Sequence, residues 1–335
     1  MKIAVDIMGG DNAPTEIIKG SIQALKEINS SLILVGQEKV IKKEIAKYTN
    51  NFKNIEIVNA DEIITNEDKP VQAVKRKKNS SMIVGLDLVK KREADCFISA
   101  GNTGALLVGS LMRVGRIKGI DRPALAPIYP TKKGFSLLVD AGANSDCKPH
   151  NLLEFAVMGL IYAEKVLKIE KPKIGLINIG IEKGKGNKLI NEAFSLLEDS
   201  NLNFIGNVEA RNLPEGLVDV IVCDGFTGNI VLKLTEGVAK NMAVMLKQQL
   251  MNGIVKKLAA FVLKDVFKNF KSKLDYTEYG GAPLLGIKGA VVKAHGSSNS
   301  KAIKNAIKYG EIFAENKVIE NIEEMISRMG VDKFE

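Results

Sequence analysis

Five glycine- and asparagine-rich segments carry most of the side chains that can do chemistry in this chain. The first reads Asp6-Ile7-Met8-Gly9-Gly10-Asp11-Asn12-Ala13-Pro14. Paired glycines let main chain approach a ligand closely, and the helix start that follows offers N–H groups to an anion. Asp6, Gly9, Gly10 and Asp11 are thus candidate substrate contacts; a tight turn capped by Asp11 or Asn12 is the plainer reading. The pattern is neither a P-loop nor a dinucleotide fingerprint. The second segment, Ser99-Ala100-Gly101-Asn102-Thr103-Gly104-Ala105, sets small residues, hydroxyls and an amide at a helix amino terminus. That composition makes a nest for phosphate, with Gly101, Asn102, Thr103 and Gly104 as its candidates.

The third segment, Asp140-Ala141-Gly142-Ala143-Asn144, continues to Asp146-Cys147-Lys148-Pro149 and offers Asn144 to a substrate. Cys147 is a poor candidate nucleophile, since His150 already belongs to the next helix start. The fourth, Cys223-Asp224-Gly225-Phe226-Thr227-Gly228-Asn229, repeats the second with an added carboxylate. Thr227 and Gly228 are candidate phosphate ligands, and Asp224 and Asn229 candidate catalytic residues. The fifth joins Gly280-Gly281-Ala282-Pro283-Leu284-Leu285-Gly286 to Ala294-His295-Gly296-Ser297-Ser298. His295 is one of two histidines and stands between a strand and the last helix. There it can act as acid, base or oxyanion donor, or hold structure.

These segments need elements to position them. Lys2–Ile7, Leu32–Val35, Ile55–Val58, Asp95–Ser99, Phe135–Val139, Lys173–Ile179, Val218–Cys223 and Ala290–Lys293 read as strands. Runs that are apolar throughout indicate strands buried on both faces, as in a parallel sheet. Helices are expected over Ala13–Ile28, Ala105–Arg113, Leu152–Leu167, Leu189–Leu197 and Ser300–Arg328. The alternation predicts an α/β fold: three α/β/α layers around a mostly parallel sheet, with ligands at the carboxyl ends of the strands. No repeat or linker marks a boundary, so residues 1–335 read as a single domain. Residues 235–273 lack a strand and read as a helical protrusion, two helices broken near Asn252-Gly253. In the second, Ile254, Leu258, Val262, Val266 and Phe270 fall four apart among lysines. Such a face either packs on the body or a dimer partner, or dips into a membrane interface.

Composition narrows the partners. Aromatics are 5% with no Trp, against the stacking platforms of single-strand nucleic-acid binders. The net charge of +9 suits an acidic partner or simply reflects a lysine-rich surface. Lys75-Arg76-Lys77-Lys78 and the group Arg113, Arg116, Lys118 and Arg122 are the candidate landing sites. Cys96, Cys147 and Cys223 show no metal or disulfide spacing, and no leader precedes Lys2, so a cytoplasmic location is expected. No apolar run reaches the roughly 18 residues that span a bilayer.

Taken in order from residue 6 to residue 298, these segments, together with Gly206-Asn207-Val208-Glu209, resemble the bacterial phosphate acyltransferase family. The resemblance implies a fold related to phosphotransacetylases and isocitrate-dehydrogenase-like enzymes. It implies transfer of a long-chain acyl group from acyl carrier protein to inorganic phosphate, giving acyl phosphate early in phospholipid biosynthesis. A homodimer, a loose membrane contact and a functional link to a membrane glycerol-3-phosphate acyltransferase are implied too. No metal, no cofactor and no nucleic acid are expected. His295, Asn229 and Asp224 form the expected catalytic set, and Lys183 and Arg76 join the substrate contacts. Because a thioester is already activated, direct attack by bound phosphate is the expected chemistry, with the protein positioning reactants and stabilising the oxyanion. The competing readings are a short-chain phosphotransacylase using acyl-coenzyme A, a nicotinamide-dependent dehydrogenase of similar fold, and a basic membrane adaptor.

Overall fold

The computed structural model describes residues 1–48, 53–251 and 280–329, with isolated positions between 253 and 266. Its first strands alternate with helices: β1 (Lys2–Asp6), α1 (Thr15–Ala24), β2 (Ser31–Gly36), α2 (Glu38–Ile45) and β3 (Ile55–Asn59). Then come α3 (Pro70–Arg76), α4 (Ser81–Lys90), β4 (Cys96–Ser99) and α5 (Thr103–Arg113). The middle of the chain holds β5 (Ala124–Leu125), β6 (Ile128–Thr131), β7 (Gly134–Val139), α6 (Pro149–Lys165), β8 (Ile174–Asn178), α7 (Lys188–Glu198), β9 (Phe204–Glu209) and β10 (Val220–Val222). Last are α8 (Gly225–Leu250), β11 (Ala282–Leu285), β12 (Ala290–Lys293), α9 (Ser300–Glu315) and α10 (Val318–Met329).

The strands form two sheets. Seven lie in the order β3-β2-β1-β4-β12-β11-β5 and five in the order β6-β7-β10-β8-β9. Pairing is parallel except at β11 and β6, which run against their neighbours. The expected mostly parallel α/β architecture holds, and the sheet is divided. One hydrophobic cluster joins the halves: it contains Ile3, Val5 and Ile98 of the larger sheet and Leu137, Val139 and Val222 of the smaller. Helix α6 supplies Leu152, Phe155, Ala156, Val157 and Met158 to the same cluster. Helix α6 is buried at every residue from Asn151 to Ala163, more than the one face that its three- and four-residue spacing predicts.

Several segments departed from expectation for identifiable reasons. Gly206-Asn207-Val208-Glu209 lies in β9, which was not among the expected strands. Gly206 has φ +104°, and the pairing of β8 with β9 skips there, from Ile174↔Phe204 to Leu176↔Asn207. A bulge interrupts the period-two pattern that marks a strand. Ala282-Pro283-Leu284-Leu285 is likewise the strand β11; Pro283 lacks an N–H, yet its carbonyl accepts from Ala126 N at 3.0 Å. The long last helix divides at Lys317, whose φ is +50°. Helix α8 begins ten residues before the expected Thr235, at Gly225, and ends at Leu250. The second expected helix, with Leu258 and Phe270, falls mostly outside the described residues; Val262 and Val266 are described and exposed. Among the described residues, no helix is long and apolar enough to cross a membrane.

The crossover between sheets is fixed by a buried carboxyl. Glu154 of α6 accepts the N–H groups of Asp121 at 3.1 Å and Arg122 at 3.5 Å, just before β5. Burial pushes its pKa up from 4.5 to about 7, against the pull of those two N–H groups. Folding therefore raises this pKa. The stability it contributes is complete below pH 4.5 and is lost as pH rises through about 7. A shift of that size corresponds to roughly 3 kcal/mol. Glu154→Gln keeps an acceptor but does not titrate, so its melting temperature is expected to rise relative to wild type between about pH 5 and about pH 8. A constant difference across that interval would show that Glu154 does not titrate there.

Candidate active site

At the larger sheet the site begins with Asp6, which ends β1 and is buried. Its carboxylate accepts from Ser99 Oγ at 2.7 Å and from Met8 N at 3.2 Å. Burial raises its pKa, while hydrogen bonds from Ser81 and Ser99 oppose the rise. These contacts draw the loops after β1 and β4 together. A Cβ on Gly9 would lie 2.4 Å from Asp6 Oδ2 and 2.8 Å from Gly101 N, so only glycine permits the approach. The third loop, after β12, is tied in by Asp11 N, which donates to Gly296 O at 2.8 Å. Asn12 Nδ2 donates to Ser297 O at 3.1 Å and Ser298 O at 3.2 Å.

Asn102 caps α5: its Oδ1 accepts from Ala105 N at 3.0 Å, and its Nδ2 donates to Thr65 O at 3.2 Å. The side chain is thus engaged in structure, while Thr103 beside it is exposed. Segment 65–70 roofs these loops. Asn66 Nδ2 donates to Asp11 Oδ1 at 3.4 Å, and a Cβ on Gly104 would come within 2.8 Å of Pro70 Cγ. Pro70 starts α3, whose far end carries Arg76, exposed beside Lys75 and Lys78. Lys77 turns inward, to Asp68 at 2.5 Å. Of the second basic group, Arg113 pairs with Asp87, and Arg116 and Arg122 with Asp121. Three of its four cations are therefore matched by the fold's own carboxylates.

His295 Nδ1 accepts from Ser297 N at 3.2 Å and lies 2.8 Å from Ser297 Oγ. Accepting from a main-chain N–H places the ring proton on Nε2. Partial burial holds its pKa below the usual histidine value, with Glu236 opposing. One residue was missed in the sequence: Lys293, the last of β12, whose ammonium lies within this group of loops. Its signal was a lysine closing an otherwise apolar buried strand.

At the smaller sheet, Asp140 follows β7 and is fully buried. It accepts from Leu125 N at 2.9 Å, Ala143 N at 3.1 Å and Asn144 N at 2.7 Å. Asn144 Nδ2 donates to Pro123 O at 2.7 Å, so Asn144 serves the loop's shape. Asp224 caps α8, accepting from Thr227 N at 2.9 Å and Thr227 Oγ1 at 2.7 Å. A Cβ on Gly228 would lie 1.9 Å from Asp140 O, so α8 starts hard against the Asp140 loop. Asn229 is thereby set beside Gly142, whose Cβ position is 3.5 Å from Asn229 Cγ. Cys147 Sγ donates to Asn144 O at 3.7 Å, and burial pushes its pKa up to about 12. A thiol held that high is no nucleophile at neutral pH.

Helix α8 brings the two groups into one site. It starts at Asp224 and Asn229 of the smaller sheet, and Lys233 and Glu236 act electrostatically on His295 of the larger. Lys183 stands apart from both. It pairs with Glu198 at 2.5 Å and lies over the Phe194 ring at 5.5 Å, on the side of α7. Two cavities of about 490 and 550 Å³ open elsewhere, one beneath α10 at Met325 and one beside Lys2 and Asp95 at the amino end of the larger sheet.

Known proteins match this arrangement. A solved phosphotransacetylase from Streptococcus pyogenes covers 94% of the chain with a TM-score of 0.64 at 17% identity. A phosphotransacetylase from Staphylococcus aureus gives a TM-score of 0.62 at 15% identity over 94% of both chains. The likeness is one of fold and defines the class: a two-sheet α/β protein with its loops gathered at strand ends. A family described as "Fatty acid synthesis protein" matches residues 1–321. The phosphate acyltransferase of Alkaliphilus oremlandii is 57% identical over 335 residues, all of both chains. That of Clostridioides difficile is 52% identical over 329 residues, 98% of this chain and 97% of the relative. The chain belongs to the phosphate acyltransferase family and is an acyltransferase of lipid synthesis.

Proposed function

We propose that this acyltransferase moves a long-chain acyl group from the thioester of acyl carrier protein to inorganic phosphate. An oxygen of bound phosphate attacks the thioester carbonyl, the C–S bond breaks, and the carrier leaves as a thiolate that takes up a proton. The products are acyl phosphate and free carrier protein. The observation that carries this reading is the meeting, along the first half of α8, of glycine-lined loops from both sheets, with Asn229 near its start and His295 within electrostatic reach of Lys233 and Glu236. Neutral His295, protonated on Nε2, is a donor suited to the oxyanion, as is the Asn229 amide. Asp224 orients Thr227 and the first turn of α8. The raised pKa of Cys147 argues for direct attack over an acylated thiol.

An acidic carrier is drawn by positive charge near the site. Exposed Lys75 and Arg76 end α3 and Lys78 follows it, and Pro70 at the start of α3 touches the loop after β4. This nearness favours the carrier over coenzyme A, which needs no protein-sized landing area. Matched thioesters of the two, offered with and without phosphate, separate the readings. Phosphate-dependent release of free carrier well ahead of free coenzyme A is expected; the reverse preference would replace this reading with that of a short-chain phosphotransacylase.

The proposal includes a homodimer with a peripheral membrane contact on the cytoplasmic face, where the acyl phosphate passes to a membrane glycerol-3-phosphate acyltransferase. Phe226, Ile230, Leu234, Val238 and Met242 repeat every four residues and are exposed along α8, an apolar stripe of helical period. Val262, in the proposed protrusion over residues 235–273, is 80% exposed. Val262→Glu is expected to reduce flotation with anionic liposomes while the protein still sediments as a dimer. Unchanged flotation would remove this segment from the membrane contact.

A further inference from the structure

Resting on that reading, we propose that Lys293 is the cation that receives the phosphate, which places the anion at the loops of the larger sheet rather than at the start of α8. Lys293 is 8% exposed. Its ammonium donates to two neutral acceptors, Ala100 O at 3.4 Å and Ala294 O. An ammonium has three protons to give. Asp6 and Asp11 act on it through space, yet among the described residues no carboxylate forms an ion pair with it. A buried charge without a contacting counter-charge is costly, and a bound anion would supply what is missing.

The surroundings fit an anion. Lys293 Nζ touches the chain immediately before Gly101 and Asn102, where α5 presents its amino end. The Gly9-Gly10 turn closes the other side: a Cβ on Gly10 would lie 2.9 Å from Ala100 Cβ and 3.0 Å from Gly296 O. Three main-chain segments without bulky side chains thus surround one ammonium. The start of α8 offers the opposite. There Asp224 already holds Thr227 N and Oγ1, and Asp140 holds the N–H groups of Ala143 and Asn144. The carboxylates there repel phosphate, and among the described residues no buried ammonium offsets them as Lys293 offsets Asp6, so Thr227 and Gly228 shape the helix start instead of binding the anion.

The test is calorimetric binding of inorganic phosphate to the full-length protein, alongside steady-state kinetics. Lys293→Met is expected to weaken phosphate binding and raise the phosphate KM by roughly tenfold or more, leaving the KM for the acyl donor unchanged. Lys293→Arg restores most of the affinity. Burial lowers the lysine pKa to about 8, with Asp6 and Asp11 opposing and His295 adjacent. Wild-type phosphate affinity therefore falls as pH rises through about 8, whereas Lys293→Arg stays charged and loses that fall. A merely structural lysine would not produce this difference, and the arginine profile carries the test even if Lys293→Met fails to fold. Wild-type phosphate affinity in folded Lys293→Met, a shared pH profile, or a loss of binding confined to Thr227→Val would overturn the assignment. The binding measurement uses no acyl donor. A protein that holds phosphate through Lys293 yet transfers no acyl group to it would refute the reaction and keep the site.

Discussion

Asp6 and Asp140 are buried carboxylates at the ends of central strands, and each folds a glycine-rich loop around itself. Their oxygens take N–H and O–H groups that the turns would otherwise leave unsatisfied, a cost that few folds tolerate in the interior. Asp6 gathers the loops after β1 and β4 at the larger sheet. Asp140 does more, because Leu125 N comes from β5 of the larger sheet while Ala143 and Asn144 belong to its own loop. One carboxylate thereby couples the two sheets at the level where the ligand loops lie. The glycines follow from this. Gly9 and Gly228 sit where any side chain would collide with the carboxylate or its carbonyl.

On that foundation α8 acts as the strut between the halves. Its start is fixed by Asp224 and by the contact of Gly228 with Asp140, which sets Asn229 beside Gly142. Two to three turns farther on, Lys233 and Glu236 come within electrostatic reach of His295. In the proposed reaction, groups already in place need no reorganisation when charge develops on a carbonyl oxygen, the usual origin of large electrostatic effects in catalysis. The two halves also differ in electrical character. Carboxylates take up donors in both, Asp6 at the larger sheet and Asp140 and Asp224 at the smaller, and the larger adds the buried ammonium of Lys293.

Much of this was legible in the sequence, for reasons that also explain the rest. Strands β1, β4, β8 and β12 are apolar runs bounded by glycine or polar residues, and they fall where such runs must. The loops announced themselves through glycine and asparagine, but composition cannot tell a ligand from a cap. Asn102, Asn144 and Asp224, picked out as a phosphate ligand, a substrate contact and a catalytic residue, each bond backbone. Division into two sheets depends on pairing between distant strands, which no local pattern records. β9 and β11 were hidden by a bulge at Gly206 and by Pro283. Lys293 was overlooked because a lysine at a strand end normally signals solvent, and here the next loops cover it.

The central claim is that phosphate itself attacks the thioester and no protein group is acylated on the way. Single-turnover mixing of the enzyme with long-chain acyl-carrier protein in phosphate-free buffer, followed by intact-protein mass spectrometry, tests it most directly. With direct attack the enzyme stays unmodified and the thioester intact until phosphate is added, whereupon acyl phosphate and free carrier appear together. A stoichiometric burst of free carrier with an acyl adduct on the enzyme before phosphate addition would contradict it.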